Sequence, residues 1–415
     1  MADDYQIEDS AVASLGRGCN RNIFRNPRGN KYWYSFYIET GDLFCEYSTD
    51  GQTWSNTRQT VYSGTGIDGF DFCIYDSGSD LKVFICYLDD TGSFNVLYYR
   101  RGSISDAGST ITWDSHVTVI ANVDGLLNQN FQSLIARTYN GRLVIAFTED
   151  ENVGGNNYRQ LRIIGSDGDG ASPSWSNETV VDDVSGNTNN ADKAGNRTGI
   201  TGFGSSYPNR VFIFTKQPEP TTTSTFIMKV ILYDWDGDTM SYVGESTPDT
   251  TGRTTYSIPY GVIDENEYVH ISFEESTTLY HYKGISAGSA SVGSANTIID
   301  SDVQFQSIVA DKENGTIYSI YVLVSDQYTV YYKTTPNDTI SWGDANSKDL
   351  TEPATAFTAC EIAIESAVHI QISTVDIDMW YLSIATPTGG PRQVALTRTS
   401  DGKFLFYNEK ALVVI

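Results

Sequence analysis

The sequence predicts an all-β fold built from repeated four-stranded units, and three observations support this. Runs of β-branched and aromatic residues that end in carboxylates recur seven times along the chain. Turn residues, mostly Gly or Asn, separate each run from strand-like segments on either side. The composition includes 27 Tyr and 36 Gly but only 4 Met, which is typical of strands joined by many turns. Together these features predict a single β-propeller of about seven four-stranded antiparallel blades. Six blades with extra strands also fit, and tandem β-sandwiches are the rival architecture.

The predicted strands follow the same order in each repeat. The recurring run is the second strand and covers residues 31–39, 81–90, 142–150, 210–216, 268–275, 316–326 and 368–376. A first strand precedes it across a tight turn, as in 22–26, 70–75, 132–138, 306–311 and 360–365. A third strand follows each run, and a fourth follows most of them. One such blade cannot bury both of its faces, so the blades must stack in a ring.

Three segments divide the chain in this prediction. Residues 1–19 form an N-terminal segment, residues 20–402 form the propeller, and residues 403–415 form a C-terminal strand or hairpin that closes or extends the ring.

Charge and composition exclude several classes of protein. The chain has 52 acidic and 27 basic residues, a formal net charge of -25, which would repel the phosphate backbone of a nucleic acid. It has no apolar run of about 18 residues, so we expect no membrane-spanning helix. The start MADDYQIEDS lacks the features of a secretory signal, so we expect synthesis in the cytoplasm. Five cysteines without paired spacing indicate neither a zinc site nor a disulfide framework.

A short motif, STDGQTW, lies between the predicted third and fourth strands of the first repeat. It resembles the Asp-box of sialidase-type propellers (BNR repeats), and its matching residues are Ser48, Asp50, Gly51, Thr53 and Trp54. Similar tryptophans recur at Trp113, Trp175 and Trp342. The Asp carboxylate is expected to accept backbone N–H bonds, the Gly to take a positive φ, and the Trp to anchor the turn. This predicts a structural role.

The same resemblance implies a test for catalysis. Sialidases bind the substrate carboxylate with three arginines beside a Tyr–Glu nucleophile pair and an Asp acid/base. By resemblance, Arg25 in NIFRNPRG would be the first arginine, and the remaining candidates are Arg197, Arg253, Tyr256 and Tyr260. Because Asn-Pro-Arg-Gly-Asn also reads as an ordinary hairpin turn, we expect Arg25 to lie at that turn and assign no catalytic residue.

The loops after the second strands carry carboxylates in almost every repeat. These binding-face candidates are Glu39, Asp89, Asp90, Glu149, Asp150, Glu151, Glu274, Glu275, Asp326 and Asp376. Such oxygen ligands suit Ca²⁺, for which Glu149, Asp150 and Glu151 are the candidates; no other cofactor is expected. A solvated acidic rim is the alternative, and it would repel anionic sugars. Nearby aromatic residues that could stack on sugar rings are Tyr62, Phe131, Tyr256 and Phe357.

These observations favour a non-catalytic recognition or structural propeller that binds glycans or proteins through this face. The composition resembles that of virion surface or tail proteins of tailed viruses, so capsid or tail proteins are the expected partners, and virion association or release by lysis the expected location. A sialidase-type glycoside hydrolase and an intracellular protein-interaction scaffold remain the alternatives.

Overall fold

A computed structural model describes most of the chain. The described residues are 5–8, 13–14, 21–51, 53–54, 58–64, 66–91, 94–123, 133–153, 156–182, 198–218, 226–253, 259–293, 297–350, 353–359, 367–374, 379–385, 397–398, 404–408 and 411–414. Every element described is a strand, and none of these residues forms a helix long and apolar enough to cross a membrane.

The strands form successive antiparallel sheets, which are the blades. β1 (Tyr5–Glu8) comes first in the chain and belongs to blade 7. Blade 1 contains β2 (Ala13–Ser14), β3 (Ile23–Arg25), β4 (Trp33–Glu39), β5 (Asp42–Ser48) and β6 (Gln59–Tyr62). Blade 2 contains β7 (Ile67–Asp76), β8 (Leu81–Asp90), β9 (Asn95–Ile104), β10 (Thr112–Trp113) and β11 (Val117–Val123). Blade 3 contains β12 (Ser133–Arg137), β13 (Leu143–Val153), β14 (Asn156–Ser166) and β15 (Trp175–Asp182).

The second half of the chain continues the pattern. Blade 4 contains β16 (Thr198–Gly202), β17 (Arg210–Pro218), β18 (Phe226–Trp235) and β19 (Met240–Arg253). Blade 5 contains β20 (Tyr260–Ile263), β21 (Val269–Glu275), β22 (Thr278–Lys283) and β23 (Thr297–Asp300). Blade 6 contains β24 (Val303–Asp311), β25 (Thr316–Leu323), β26 (Thr329–Pro336) and β27 (Asn346–Asp349). Blade 7 contains β28 (Ala354–Ala359), β29 (Ala367–Thr374) and β30 (Met379–Ala385), with β1 as its outer strand.

The described strands thus make seven antiparallel sheets of four or five strands, and contacts between neighbours close them into a ring. Blades 1 and 2 share one apolar core, in which Phe24 and Phe36 of blade 1 pack against Phe72 of blade 2. The inner strands of blades 2 to 7 contact one another in sequence, and β29 contacts β3 to complete the circle. This arrangement confirms the predicted single β-propeller.

Two strands of the N-terminal segment, predicted as residues 1–19, pair with strands of the blades. Tyr5 pairs with Tyr381 of blade 7, and Ala13 pairs with Glu39 of blade 1, so parts of segment 1–19 belong to the propeller. The C-terminal segment forms a separate three-stranded sheet of β31 (Thr397–Arg398), β32 (Phe404–Asn408) and β33 (Ala411–Val414).

Tryptophans lie between the third and fourth strand positions of several blades, and each packs back on the preceding blade. Trp113 contacts Phe36 across the seam between blades 1 and 2, with ring centroids 6.4 Å apart. Trp175 of blade 3 contacts Tyr99 of blade 2, and Trp342 of blade 6 contacts His281 of blade 5. The recurring Trp is therefore part of the packing between blades, a role that the motif did not predict.

Candidate functional site

Side-chain hydrogen bonds stabilise the turn at residues 48–54. Asp50 Oδ1 accepts the backbone N–H of Thr53 at 2.7 Å, and Ser48 Oγ accepts that of Gly51 at 2.9 Å. Ser48 Oγ donates to the carbonyl of Thr53 at 2.7 Å, and Gly51 has a φ of 72°. Trp54 is buried and forms a bridge with Ser48. The carboxylate of Asp50 is occupied in stabilising the turn.

The predicted sialidase-type residues do not form one site in the described part of the chain. Arg25 ends β3 at the first hairpin turn, as expected; its guanidinium lies 4.1 Å from the Trp33 ring, and its Nε donates to the Lys31 carbonyl at 3.3 Å. Tyr260 lies in blade 5, where it packs in an apolar cluster with Ile308. Arg197, Tyr256 and the side chain of Arg253 lie outside the described residues.

The face of the ring that carries the turns between second and third strands is called the loop face below. Its acidic residues are engaged with neighbours. Glu39 pairs with Arg58, and Glu149 pairs with Arg162 Nε at 2.8 Å. Asp326 accepts the Tyr331 hydroxyl at 2.9 Å.

The other described acids of this face also have partners within the chain; they are Asp90, Glu274 and Glu275. Of the predicted calcium ligands only the Glu149 side chain is described, and the side chains of Asp150, Glu151 and Asp376 lie outside the described set, as do those of Phe131 and Phe357. Among the side chains that are described, no group of three His, Cys, Asp or Glu could hold a metal ion.

A buried ion pair at the inner edge of the ring was not predicted from the sequence. Arg21 Nη2 lies 2.5 Å from Asp71 Oδ2, and Arg21 Nε donates to Asp71 Oδ1 at 3.1 Å. Arg21 also donates to the carbonyls of Ile135 and Ile200, at 2.5 and 3.3 Å. One guanidinium therefore links blades 1, 2, 3 and 4. Burial raises the pKa of Asp71, and Arg21 opposes that shift. Because this pair is saturated with internal partners, we interpret it as structural.

A group of aromatic side chains lies between blades 1 and 2. It consists of Tyr62 at the end of β6, Tyr87 of β8, Tyr98 of β9 and the exposed His116, and we call it the tyrosine cleft. The Tyr62 ring centroid lies 4.7 Å from that of Tyr87 and 5.3 Å from that of Tyr98. His116 meets the edges of Tyr62 and Tyr98 at 5.4 and 5.1 Å. Tyr62 and Tyr98 are half-buried and Tyr87 is fully buried.

Hydrogen bonds that Asp89 accepts fix the tyrosine cleft at the loop face. The Tyr62 hydroxyl donates to Asp89 Oδ2 at 3.0 Å, and the Gly66 N–H donates to Asp89 Oδ1 at 3.0 Å. Because Asp89 is only 4% exposed, it acts as an anchor for Tyr62. The Tyr87 hydroxyl is buried and has no hydrogen-bond partner among the described residues.

Burial keeps the phenols of Tyr62 and Tyr87 protonated. Burial is the main cause that raises the pKa of Tyr62, and hydrogen bonds with Tyr98 and Asp89 act in the same direction. Burial likewise raises the pKa of Tyr87, against the opposing charge of Arg100. These tyrosines can therefore donate hydrogen bonds and stack, but they are poor nucleophiles.

Ring spacing decides what the tyrosine cleft can hold. Centroid distances of 4.7 to 5.5 Å are those of rings in mutual contact. No room is left between them for a cation enclosed by aromatic faces, which excludes an aromatic cage of the kind that binds quaternary ammonium groups. The rings instead form a platform of tilted members, with interplanar angles of 33–38° among the tyrosines and 68–83° between His116 and its neighbours, so it offers tilted ring faces and not one flat surface to a ligand that stacks from outside.

Comparisons with known proteins found similar solved structures only. No protein-family model matches the chain, and no curated protein matches it. Among solved structures, it is similar to the α-L-arabinofuranosidase Arb93a of Fusarium graminearum, with 13% identity over 77% of this chain and 92% of that chain and a TM-score of 0.48.

Two other solved structures show the same level of similarity. The α-L-arabinanase of Penicillium chrysogenum is 10% identical over 93% of this chain and 98% of its own, with a TM-score of 0.46. The NanB sialidase of Streptococcus pneumoniae is 10% identical over 92% of this chain and 70% of its own, with a TM-score of 0.44. We base no argument about activity on these similarities; the ring of blades defines the chain as a β-propeller by itself.

Proposed function

We propose that this β-propeller recognises neutral carbohydrate without cleaving it, through the tyrosine cleft. The observation that carries the proposal is the platform of Tyr62, Tyr98 and His116, which is anchored by Asp89 at the loop face. Every pyranose or furanose ring presents C–H groups that pack on an aromatic face, and its hydroxyls can pair with phenol and imidazole groups at the edge.

The charge of the protein selects among sugars. A net charge of -25 and the acidic loop face repel sialic acids, uronic acids and sulfated glycans. Neutral sugars carry no such penalty, so their stacking and hydrogen bonding are not opposed.

Binding without cleavage is favoured because the described acids already have partners. Glycoside hydrolysis needs two carboxyl groups, about 5–10 Å apart, that flank the scissile bond and are available for proton transfer or attack. At the tyrosine cleft, both oxygens of Asp89 accept hydrogen bonds from the chain itself. The protonated tyrosines cannot replace a second carboxylate as a nucleophile.

A neutral-glycan array followed by calorimetry of the best ligand tests this proposal. Tyr98→Ala removes part of the platform and is expected to weaken binding about 5- to 150-fold, because stacking on one aromatic ring contributes about 1–3 kcal/mol. Tyr139→Ala is the matched control, since Tyr139 is 60% exposed and lies at a turn of blade 3 on the opposite face. Equal affinity of both variants, with both folded, would contradict the assignment of the cleft.

Turnover of fluorogenic glycosides tests the alternative of a sialidase-type hydrolase. We expect no release of fluorophore from a sialoside or from neutral glycosides. Turnover that Arg25→Ala abolishes would instead establish catalysis near the first hairpin.

Association with virus particles stays a separate proposal, which rests only on the composition of the sequence. Co-purification of the chain with capsid or tail proteins tests it, and its failure would leave the carbohydrate proposal untouched.

A further inference from the structure

Two histidines and an aspartate form a buried chain of hydrogen bonds in blade 5. His270 Nε2 lies 3.0 Å from Asp264 Oδ2, and His270 Nδ1 lies 3.0 Å from His281 Nε2. The three residues are each 0–1% exposed. They belong neither to the tyrosine cleft nor to the Arg21–Asp71 pair.

The atoms that accept hydrogen bonds determine which ring nitrogens of His270 and His281 carry protons. Asp264 Oδ1 already accepts the backbone N–H groups of Asn266 and Tyr268, at 3.0 and 2.8 Å, as expected of an ionised carboxylate. His270 Nε2 therefore carries the proton toward Asp264, which leaves His270 Nδ1 as the acceptor of the His281 Nε2 proton. His281 Nδ1 is then an unprotonated acceptor, and it has no hydrogen-bond partner among the described residues.

The chain of hydrogen bonds is connected to the seam between blades 5 and 6. Asn337 of blade 6 donates to Asp264 Oδ2 at 3.4 Å and to Glu265 Oε1 at 2.6 Å. Lys283 of blade 5 donates to the carbonyls of Asn337 and Asp338. Trp342 of blade 6 packs its ring edge against His281 with centroids 5.3 Å apart.

Burial and the positive charge of Lys283 oppose protonation of the two histidines. Burial lowers the pKa of His270, and the nearby Lys283 acts in the same direction, whereas Asp264 opposes the shift. Burial, His270 and Lys283 all lower the pKa of His281. Burial works to raise the pKa of Asp264, but hydrogen bonds from His270 and Tyr268 bring it below its usual value. Glu265 and Asp338 are further titratable groups at the seam, and Asp300 of blade 5 pairs across it with Lys333 and Tyr321 of blade 6.

We propose that the chain Asp264–His270–His281 is an acid-sensitive latch, which holds the seam between blades 5 and 6 closed at neutral pH and opens it in mild acid. The latch works because His270 must accept a proton from one side and donate one to the other. A proton added to this pair, at His281 Nδ1 or at His270 Nδ1, leaves two buried imidazoles facing each other with a net positive charge. Such a charge is costly in a buried site and is relieved when the seam admits water.

The pH window follows from the direction of these shifts. Above about pH 6.5 the histidines are neutral in both folded and unfolded chains, and the latch is fully stabilising. Below that pH the two histidines bind protons in the unfolded chain but stay neutral in the folded chain, so the free energy of unfolding falls as the pH falls. Each such histidine raises the unfolding constant by about 10-fold per pH unit, and two raise it by up to about 100-fold. Asp264 contributes only at lower pH, since its stabilisation is lost below about pH 4.

Urea unfolding of the whole chain between pH 7.5 and 5 tests the latch. In H270Q/H281Q the first glutamine can accept from its neighbour and donate to Asp264, and the second can donate, so the hydrogen bonds are kept without titration. We expect the unfolding constant of the wild type to rise at least 10-fold more than that of the double variant when the pH falls from 6.5 to 5.5. Identical pH dependence of the wild type and the double variant would overturn the proposal.

A measurement on the wild type keeps the test valid if the double variant does not fold. Imidazole nitrogen NMR between pH 7.5 and 5.5 should show two histidines that stay neutral in the closed form. Hydrogen exchange at pH 5.5, which reports the minor open form in which they bind protons, should accelerate first around 264–283 and 337–342. Titration of all four histidines near pH 6.5, or exchange that accelerates uniformly around the ring, would overturn it. Because the latch lies in blade 5 and the tyrosine cleft between blades 1 and 2, its failure leaves the carbohydrate proposal untested and intact.

Discussion

Replacement of Asp71 by asparagine tests the importance of the buried ion pair at the inner edge of the ring. Asp71 is fully buried and Arg21 is 7% exposed, so the change leaves a guanidinium in a site from which water is excluded. Breaking a buried pair by removing one partner typically costs about 3–5 kcal/mol. We expect Asp71→Asn to lose about 3 kcal/mol of unfolding free energy, at the lower end of this range, since the carbonyls of Ile135 and Ile200 still accept from Arg21.

Urea unfolding followed by tryptophan fluorescence measures this loss. Glu245→Gln is the matched control, because its pair with Lys229 is at the surface and its side chain is 42% exposed; such pairs contribute less than about 1 kcal/mol. A double-mutant cycle with Arg21→Met should show strong coupling between the two positions, because removing both charges leaves no unpaired ion. A loss for Asp71→Asn no larger than that for Glu245→Gln, or additive effects in the cycle, would refute this account of the inner ring.

Two further predictions concern the packing and turns of the blades. Gly165→Ala should lower the free energy of unfolding by about 1–3 kcal/mol, because an added Cβ would lie 2.3 Å from the Trp235 indole. Gly244→Ala, where nothing lies within 4 Å of the added Cβ, is the control in chemical unfolding and should cause a much smaller loss. Asp50→Ala should lower the free energy of unfolding by about 1–2 kcal/mol, because the N–H of Thr53 loses its acceptor. Carbohydrate affinity should be unchanged in Asp50→Ala, and a native melting temperature combined with lost binding would show that this turn has a recognition role instead.

The fold could be predicted from the sequence because its signals are local. A strand of β-branched and aromatic residues, a turn with Gly51 at positive φ and the carboxylate of Asp50 within the same turn are all specified over a few residues. The position of Arg25 at the first hairpin follows from the same kind of signal. Closure of the ring by Tyr5–Glu8 does not, because this strand pairs with β30 near the other end of the chain.

The candidate sites could be predicted only in part, since they depend on contacts between blades. Tyr62 is recognisable from its place between two repeats, but its platform needs Tyr98 and His116 of the next blade. The Arg21–Asp71 pair joins residues 50 positions apart, and Arg21 then reaches carbonyls in two further blades. Likewise, the acidic pattern of the loop face is visible in the sequence, whereas the arginine and tyrosine partners that occupy those acids are not.

The location of a bound sugar tests the central claim most directly. A crystal of the protein soaked with the best neutral ligand from the glycan array should show the sugar ring stacked on Tyr62 and Tyr98, beside His116, with its glycosidic bond intact. A sugar bound near the axis of the ring, away from the tyrosine cleft, or a cleaved product in place of the ligand, would contradict the account.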